Sequence, residues 1–189
     1  MSDAGDIHRG VRISQSDRIV IVGASLAGLR SAETLREHEF DGPIILLGDE
    51  RANPYDRPPL SKQLLSGAWE PSRIELRSAD ELAGRLALDH RLGVTALGLD
   101  VGRGEVATSD GPVAYDRLVI ATGTRVRRLP GTDAMGHVHV VRTLDDSLRL
   151  REQLTEGAKV VVVGAGFIGA EVAATAKRSE EHTSELQSL

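Results

Sequence analysis

The stretch Arg18-Ile-Val-Ile-Val-Gly-Ala-Ser-Leu-Ala-Gly28 decides the fold. A short run of β-branched side chains, the profile of a buried strand, passes directly into a glycine turn, Gly23-Ala-Ser-Leu-Ala-Gly28. Beyond it Leu26, Leu29, Ala32 and Leu35 recur at helical spacing and predict a helix ending near His38. A strand, a glycine turn and a helix N-terminus together make an anion site, because free backbone N–H groups and the helix dipole converge there. The pattern occurs twice. Lys159-Val-Val-Val-Val163 leads into Gly164-Ala-Gly-Phe-Ile-Gly169, whose Gly164, Gly166 and Gly169 complete G-x-G-x-x-G. Two such turns predict two successive nucleotide-binding units.

Working outward, Asp41-Gly-Pro43 ends the first helix and Ile44-Ile-Leu-Leu47 reads as a second strand, which completes a βαβ unit. Gly48-Asp-Glu50 follows. Asp49 lies about twenty residues beyond Gly28, where a Rossmann unit places a carboxylate on a ribose hydroxyl. Either Asp49 or Glu50 suits that role; an acid at a strand end can equally cap a helix or sit solvated in a turn. Ser25 stands where the middle glycine is usual, which adds a Cβ but also a hydroxyl donor.

Residues 51–75 read as irregular around Pro54, Pro58 and Pro59, with Ser61 capping a short helix through Leu65. Val94–Leu99, Glu105–Thr108 and Val113–Tyr115 alternate as short antiparallel strands, with a turn at Asp110-Gly111. Leu118-Val-Ile-Ala121 reads as a buried strand ending in Thr122-Gly123. Thr143-Leu-Asp-Asp146 has capping-box spacing and opens a helix to about Leu154, closed by Gly157. The expected organisation is a disordered segment 1–16, an incomplete nucleotide-binding domain 17–147, and the truncated start of a second at 148–177. Residues 178–189 form a tail. Arg178-Ser-Glu-Glu-His-Thr-Ser-Glu-Leu-Gln-Ser188 resembles, codon by codon, the translation of a sequencing adapter, and an ordinary polar helical tail is the alternative.

Bulk properties narrow the class. The 189 residues are 40% hydrophobic and 27% charged, an ordinary globular composition. No apolar run has the length of a membrane span, and Met1-Ser-Asp-Ala-Gly-Asp6 lacks the basic and apolar regions of a signal peptide, so a cytoplasmic location is expected. A net charge of −5 argues against a nucleic-acid partner. With no cysteine, the chain holds no disulfide, thiolate metal site or redox dithiol. No metal-ligand spacing and no nucleophile–base arrangement stand out.

Arg57-Pro-Pro-Leu-Ser-Lys62, taken with both glycine turns, Gly48-Asp-Glu50, Ala121-Thr-Gly-Thr124, Arg142-Thr-Leu-Asp-Asp146 and Glu171, resembles a known family. It is that of FAD-dependent NAD(P)H:ferredoxin reductases of the putidaredoxin reductase type, within the pyridine nucleotide-disulfide oxidoreductase superfamily. The resemblance covers about residues 17–177. It implies an α/β architecture: a Rossmann-like FAD-binding domain with a small antiparallel β-meander, then the first βα unit of a second Rossmann-like, NAD(P)-binding domain. FAD and NAD(P)H are the implied cofactors, and a ferredoxin-type iron–sulfur protein is the implied partner.

Carried onto this chain, the resemblance implies that Gly23, Ser25, Leu26, Ala27 and Gly28 line the FAD diphosphate. Asp49 or Glu50 would take the adenosine ribose and Val94 the adenine region. Ala121, Thr122 and Gly123 would line the middle of the cofactor, and Arg57, Pro58 and Arg142 the region nearer the flavin. Lys62 would lie beside the flavin N5, with Glu171 approaching from the second domain. Gly164, Gly166, Phe167, Ile168 and Gly169 would serve the nicotinamide nucleotide. An ammonium beside N5 favours the charge that hydride arrival leaves there, and a carboxylate offsets the cost of burying that lysine. The alternative is a solvated lysine and a helix-surface acid. Disulfide reductases of this superfamily carry a cysteine pair where this chain reads Asn53-Pro-Tyr-Asp-Arg-Pro-Pro-Leu60, so electrons would leave the flavin directly. Arg125, Arg127 and Arg128 suit an acidic partner, a nucleotide phosphate or a solvated loop. His137 and His139 read as loop residues, and Trp69 as packing under the irregular segment. A non-catalytic nucleotide-binding module, and an FAD-dependent oxidoreductase with another acceptor, are the alternative functions.

Overall fold

The computed structural model describes residues 12–186, with side chains described through residue 177. β1 (Ile19–Val22) is buried along its whole length. It lies parallel between β2 (Ile44–Gly48) and β7 (Arg117–Ile120), and β3 (Leu88–Leu92) adds beyond β2, so the sheet order is β3-β2-β1-β7. α1 (Leu26–Glu37) makes the crossover from β1 to β2. The uninterrupted apolar runs follow from two covered faces. Ile19, Ile21, Ile44 and Leu46 pack on Leu29 and Ala32 of α1 and on Leu82 and Leu86. Their neighbours Val20, Val22, Ile45 and Leu47 pack on Val106 and Val113. Each such buried aliphatic side chain contributes roughly 1.5–3 kcal/mol.

Val106 and Val113 belong to the antiparallel meander β4 (Ala96–Asp100), β5 (Glu105–Thr108) and β6 (Gly111–Ala114). Its last turn is tied by Thr108, whose hydroxyl accepts from Asp110 N and donates to Gly111 O. α2 (Leu144–Gln153) opens with the expected box: Thr143 Oγ1 accepts from Asp146 N, and the Asp146 carboxylate accepts from Thr143 N. α3 (Phe167–Leu186) packs Val172 against Leu65 and Leu150 of α2. Tyr55, Leu60, Leu64 and Ile74 make a separate small core under which Trp69 packs, with the Arg73 guanidinium 4.4 Å from the Trp69 ring centre.

Several expectations are corrected. Residues 159–163 form no strand, and Val161 and Val163 are 87% and 73% exposed. A parallel strand draws all its ladder hydrogen bonds from neighbouring strands, and none pairs with this run among the described residues. β7 forms where expected but is not buried: it is an edge strand, and Ile120 is 67% exposed. Ser61 caps no helix; Pro58–Ser61 is a single 3₁₀ turn, opened by the two prolines, with Lys62 at its end, its N–H bonded to Pro59 O. Leu26 points away from the α1 core stripe. β3 was not anticipated, since Asp89-His90-Arg91 hides an edge strand. Of the segment expected to be disordered, residues 1–11 lie outside the described residues, while Gln15 is tied to Glu39 O and Asp41 N. The side chains of the 178–189 tail, and residues 187–189 entirely, lie outside them too. Among the described residues no helix is long and apolar enough to cross a membrane, and no cluster of metal-ligating side chains occurs.

Candidate nucleotide-binding site

The first glycine turn stands where the carboxyl ends of β1, β2 and β7 meet. Gly23 N donates to Leu47 O at 2.8 Å, and Ala121 N donates to Val22 O at 2.8 Å. Gly23 takes φ +119°, and a Cβ there would lie 2.1 Å from the Ala121 carbonyl oxygen, so only glycine fits. At Gly28 a Cβ would meet Gly23 O at 1.9 Å, which is why α1 can seat on the turn at all. Ser25 is the N-cap, yet its side chain makes no capping bond and the first turn of α1 holds no acid. The opening N–H groups, carried by Leu26 and Ala27 among others, therefore face the turn with their anion-binding capacity intact.

A cleft of about 380 Å³ opens over these strand ends, within the size range of small-ligand sites. Gly23, Asp49, Glu50, Arg57, Val94, Thr122 and Arg142 line it, together with Arg125 and Arg128. Ala121 is not in its lining; its carbonyl packs against Gly23. Gly23 and Gly28 permit a close backbone approach, and α1 offers free donors, so the residues suit the diphosphate and adenosine of a dinucleotide such as FAD. Gly123 sits against the Arg142 guanidinium, whose Nε donates to Thr124 O at 3.0 Å.

The two candidate ribose acids are not equivalent. Both oxygens of Glu50 are engaged: Oε1 by Arg57 Nη2 at 2.7 Å and Oε2 by the Tyr55 hydroxyl at 2.5 Å. Asp49 is 56% exposed, with Arg125 at 3.4 Å as its ion partner. Arg57 is a hub; its Nη1 donates to Arg142 O at 2.5 Å and its Nε to Ser25 Oγ at 3.4 Å. Tyr55, buried and unremarked in the sequence reading, also accepts from Leu144 N at 2.9 Å. Burial and then the Glu50 bond push its phenol well above the ordinary tyrosine value. Its place two residues before Arg57 was the available signal.

Lys62 and Glu171 are brought together: Lys62 Nζ lies 3.0 Å from Glu171 Oε1, joining the 3₁₀ turn after Arg57 and Pro58 to α3. The Ser61 hydroxyl donates to Glu171 Oε2 at 2.5 Å, and Thr175 Oγ1 donates to Ser61 O at 2.9 Å. The Ser61 bond first, and Lys62 second, hold the Glu171 carboxyl below its ordinary value. With side chains 34% and 37% exposed, the pair is half-exposed rather than buried, so solvent screens it. The second glycine turn keeps its local form, with φ +116° at Gly164 and a Cβ at Gly169 only 2.7 Å from Gly164 O. Nothing lies within 4 Å of a Cβ at Gly166, and Phe167 and Ile168 are 91% and 56% exposed. Arg128 lies 3.9 Å from Asp133, and His139 bonds Gln153.

The chain is similar in sequence and fold to known proteins. The ferredoxin–NAD(+) reductase component of the biphenyl dioxygenase system of Paraburkholderia xenovorans is 41% identical over 90% of this chain and 42% of its own. Putidaredoxin reductase of Pseudomonas putida is 41% identical over 92% of this chain and 42% of its own. The solved covalent putidaredoxin reductase–putidaredoxin complex superposes with a TM-score of 0.81 at 38% identity, over 86% of this chain and 40% of that one. The chain thus spans about 40% of the length of the curated relatives it matches. The family model for pyridine nucleotide-disulphide oxidoreductases matches residues 17–187, and the chain, putidaredoxin reductase-like in sequence and fold, belongs to that family.

Proposed function

We propose that this chain is the FAD-binding part of an oxidoreductase that takes hydride from NAD(P)H and passes electrons to a ferredoxin-type iron–sulfur protein. The observation that carries the reading is the first glycine turn opening, with uncapped α1 N–H groups, into the cleft that Asp49 and Val94 flank. When bound, FAD supplies hydride acceptance from a nicotinamide and release of electrons to a one-electron carrier. The α1 N–H groups and Ser25 hold the diphosphate, and Asp49 accepts from the adenosine ribose. Thr122 and Gly123 line the middle of the cofactor, and Arg142 the region nearer the flavin. The Lys62 ammonium favours negative charge accumulating on a reduced flavin, and Glu171 holds that ammonium in place. The absence of cysteine supports a direct exit of electrons rather than one through a dithiol. The relatives' names support a ferredoxin as acceptor. A nicotinamide-dependent role is in keeping with a cytoplasmic location.

The test titrates FAD into the purified chain and follows flavin fluorescence. Saturable quenching is expected, together with loss of affinity in Gly23→Val. Absence of quenching here, together with a colourless protein of the relatives' length, defeats every flavin reading. A protein of the relatives' length carrying this chain is then expected to bleach with NADH and to reduce a ferredoxin; bleaching without ferredoxin reduction moves the acceptor elsewhere.

A further inference from the structure

We propose that Tyr55 is a positioning residue that holds Glu50 at the cleft wall in its pair with Arg57 and so leaves Asp49 as the one of these two acids offered to a nucleotide ribose; this rests on the nucleotide reading above. Two adjacent acids end β2, and both line the cleft. Were both free, a second negative charge would stand beside a diphosphate-binding turn and repel its ligand. The structure disposes of one. Glu50 is held at both oxygens, by Arg57 Nη2 at 2.7 Å and by Tyr55 Oη at 2.5 Å. Arg57 neutralises it and Tyr55 fixes its direction.

The tyrosine hydroxyl is itself oriented. It accepts from Leu144 N at 2.9 Å and from Arg57 Nη1 at 3.2 Å, so its one proton is left for Glu50. Its ring is 5% exposed and packs with Leu60, Leu64 and Ile74, with the Arg57 guanidinium 5.1 Å from the ring centre. A buried ring thus delivers a hydroxyl to a fixed place between the end of β2 and the start of α2. Phenylalanine would keep the ring and lose only the hydroxyl. Glu50 would then be held at one oxygen only, by Arg57, leaving Oε2 able to turn toward the diphosphate, and the Leu144 N–H would lose its acceptor.

The test measures calorimetric binding of ADP, which carries the ribose and diphosphate, to the whole chain. Tyr55→Phe is expected to weaken ADP binding about tenfold. The double variant Tyr55→Phe with Glu50→Gln is expected to regain most of that loss, because the misdirected charge is gone. 2′-Deoxy-ADP is expected to bind more weakly than ADP to the original chain, and equally well to Asp49→Asn. Wild-type affinity in Tyr55→Phe overturns the proposal, as does a loss that Glu50→Gln fails to rescue. Failure of the original chain to bind either ADP or FAD overturns the nucleotide reading itself, a distinguishable result.

Discussion

Glu171 is shared between two donors on one short turn, and the sharing sets its titration. Its carboxylate accepts from the Ser61 hydroxyl and pairs with Lys62, both of which favour the ionised form. A carboxyl held below its unfolded value adds stability at pH above that value, and the contribution fades as pH falls through the lower, folded one. The contact between α3 and the Pro58–Ser61 turn is therefore expected to loosen on acidification, within the carboxylate range and not near neutrality. Ser61→Ala removes the larger of the two causes. Glu171 is then expected to titrate at higher pH, and the loosening to move up with it. Carbon-detected NMR of the glutamate carboxyls reads the first directly, and hydrogen exchange at Ala173–Ala176 reads the second. An unmoved Glu171 titration would leave the pair resting on Lys62 alone.

The two glycine turns read almost alike in the sequence, yet they become different elements. Around the first, Gly23 and Gly28 are locked by backbone oxygens at 2.1 and 1.9 Å from where a Cβ would sit. Around the second, a Cβ at Gly169 would lie 2.7 Å from Gly164 O, as at Gly28, while one at the middle position, Gly166, would meet nothing within 4 Å. Gly28→Ala is expected to cost on the order of 3 kcal/mol or more, since backbone on both sides must move. Gly166→Ala is expected to stay within about 0.5 kcal/mol in this chain. Urea denaturation of both variants measures the contrast, and equal costs would contradict it. The same pair shows what was legible beforehand. The βαβ unit, the meander and the Thr143–Asp146 box each declare themselves in local pattern, because the chemistry that makes them lies within a few residues. The Lys159–Val163 run is as apolar as β1 but becomes no strand, because strand formation depends on neighbours that local sequence does not encode. Likewise the carboxylates at 49 and 50 were visible as a pair. Which of them is engaged depends on Tyr55 and Arg57 reaching across the fold, and no spacing rule reports that.

At the scale of the whole molecule, a number of large apolar side chains are left open to solvent. β7 presents an unpaired edge and an exposed Ile120, and Val160–Val163, Phe167 and Ile168 lie open. An unpaired parallel edge offers a row of free N–H and C=O groups, and an exposed apolar, β-branched run such as Val160–Val163 is suited to pair with a strand. An exposed apolar run of this kind marks contact with another polypeptide. Kept in isolation, the 189-residue chain is therefore expected to self-associate at micromolar concentration and to bind a hydrophobic dye. Val161, 87% exposed and in contact with no core cluster, is the position to probe. Val161→Lys places a charge in the run without touching a packed side chain, so monomer stability is expected to change by no more than about 0.5 kcal/mol. Self-association, read as a concentration-dependent sedimentation coefficient, is expected to fall, and dye binding with it. Charged residues on exposed edges suppress pairing in this way because a buried lysine at a strand interface costs more than the backbone bonds return. If Val161→Lys sediments and binds dye as the original chain does, association runs through another surface, and the exposed run at 160–163 is not what holds copies together.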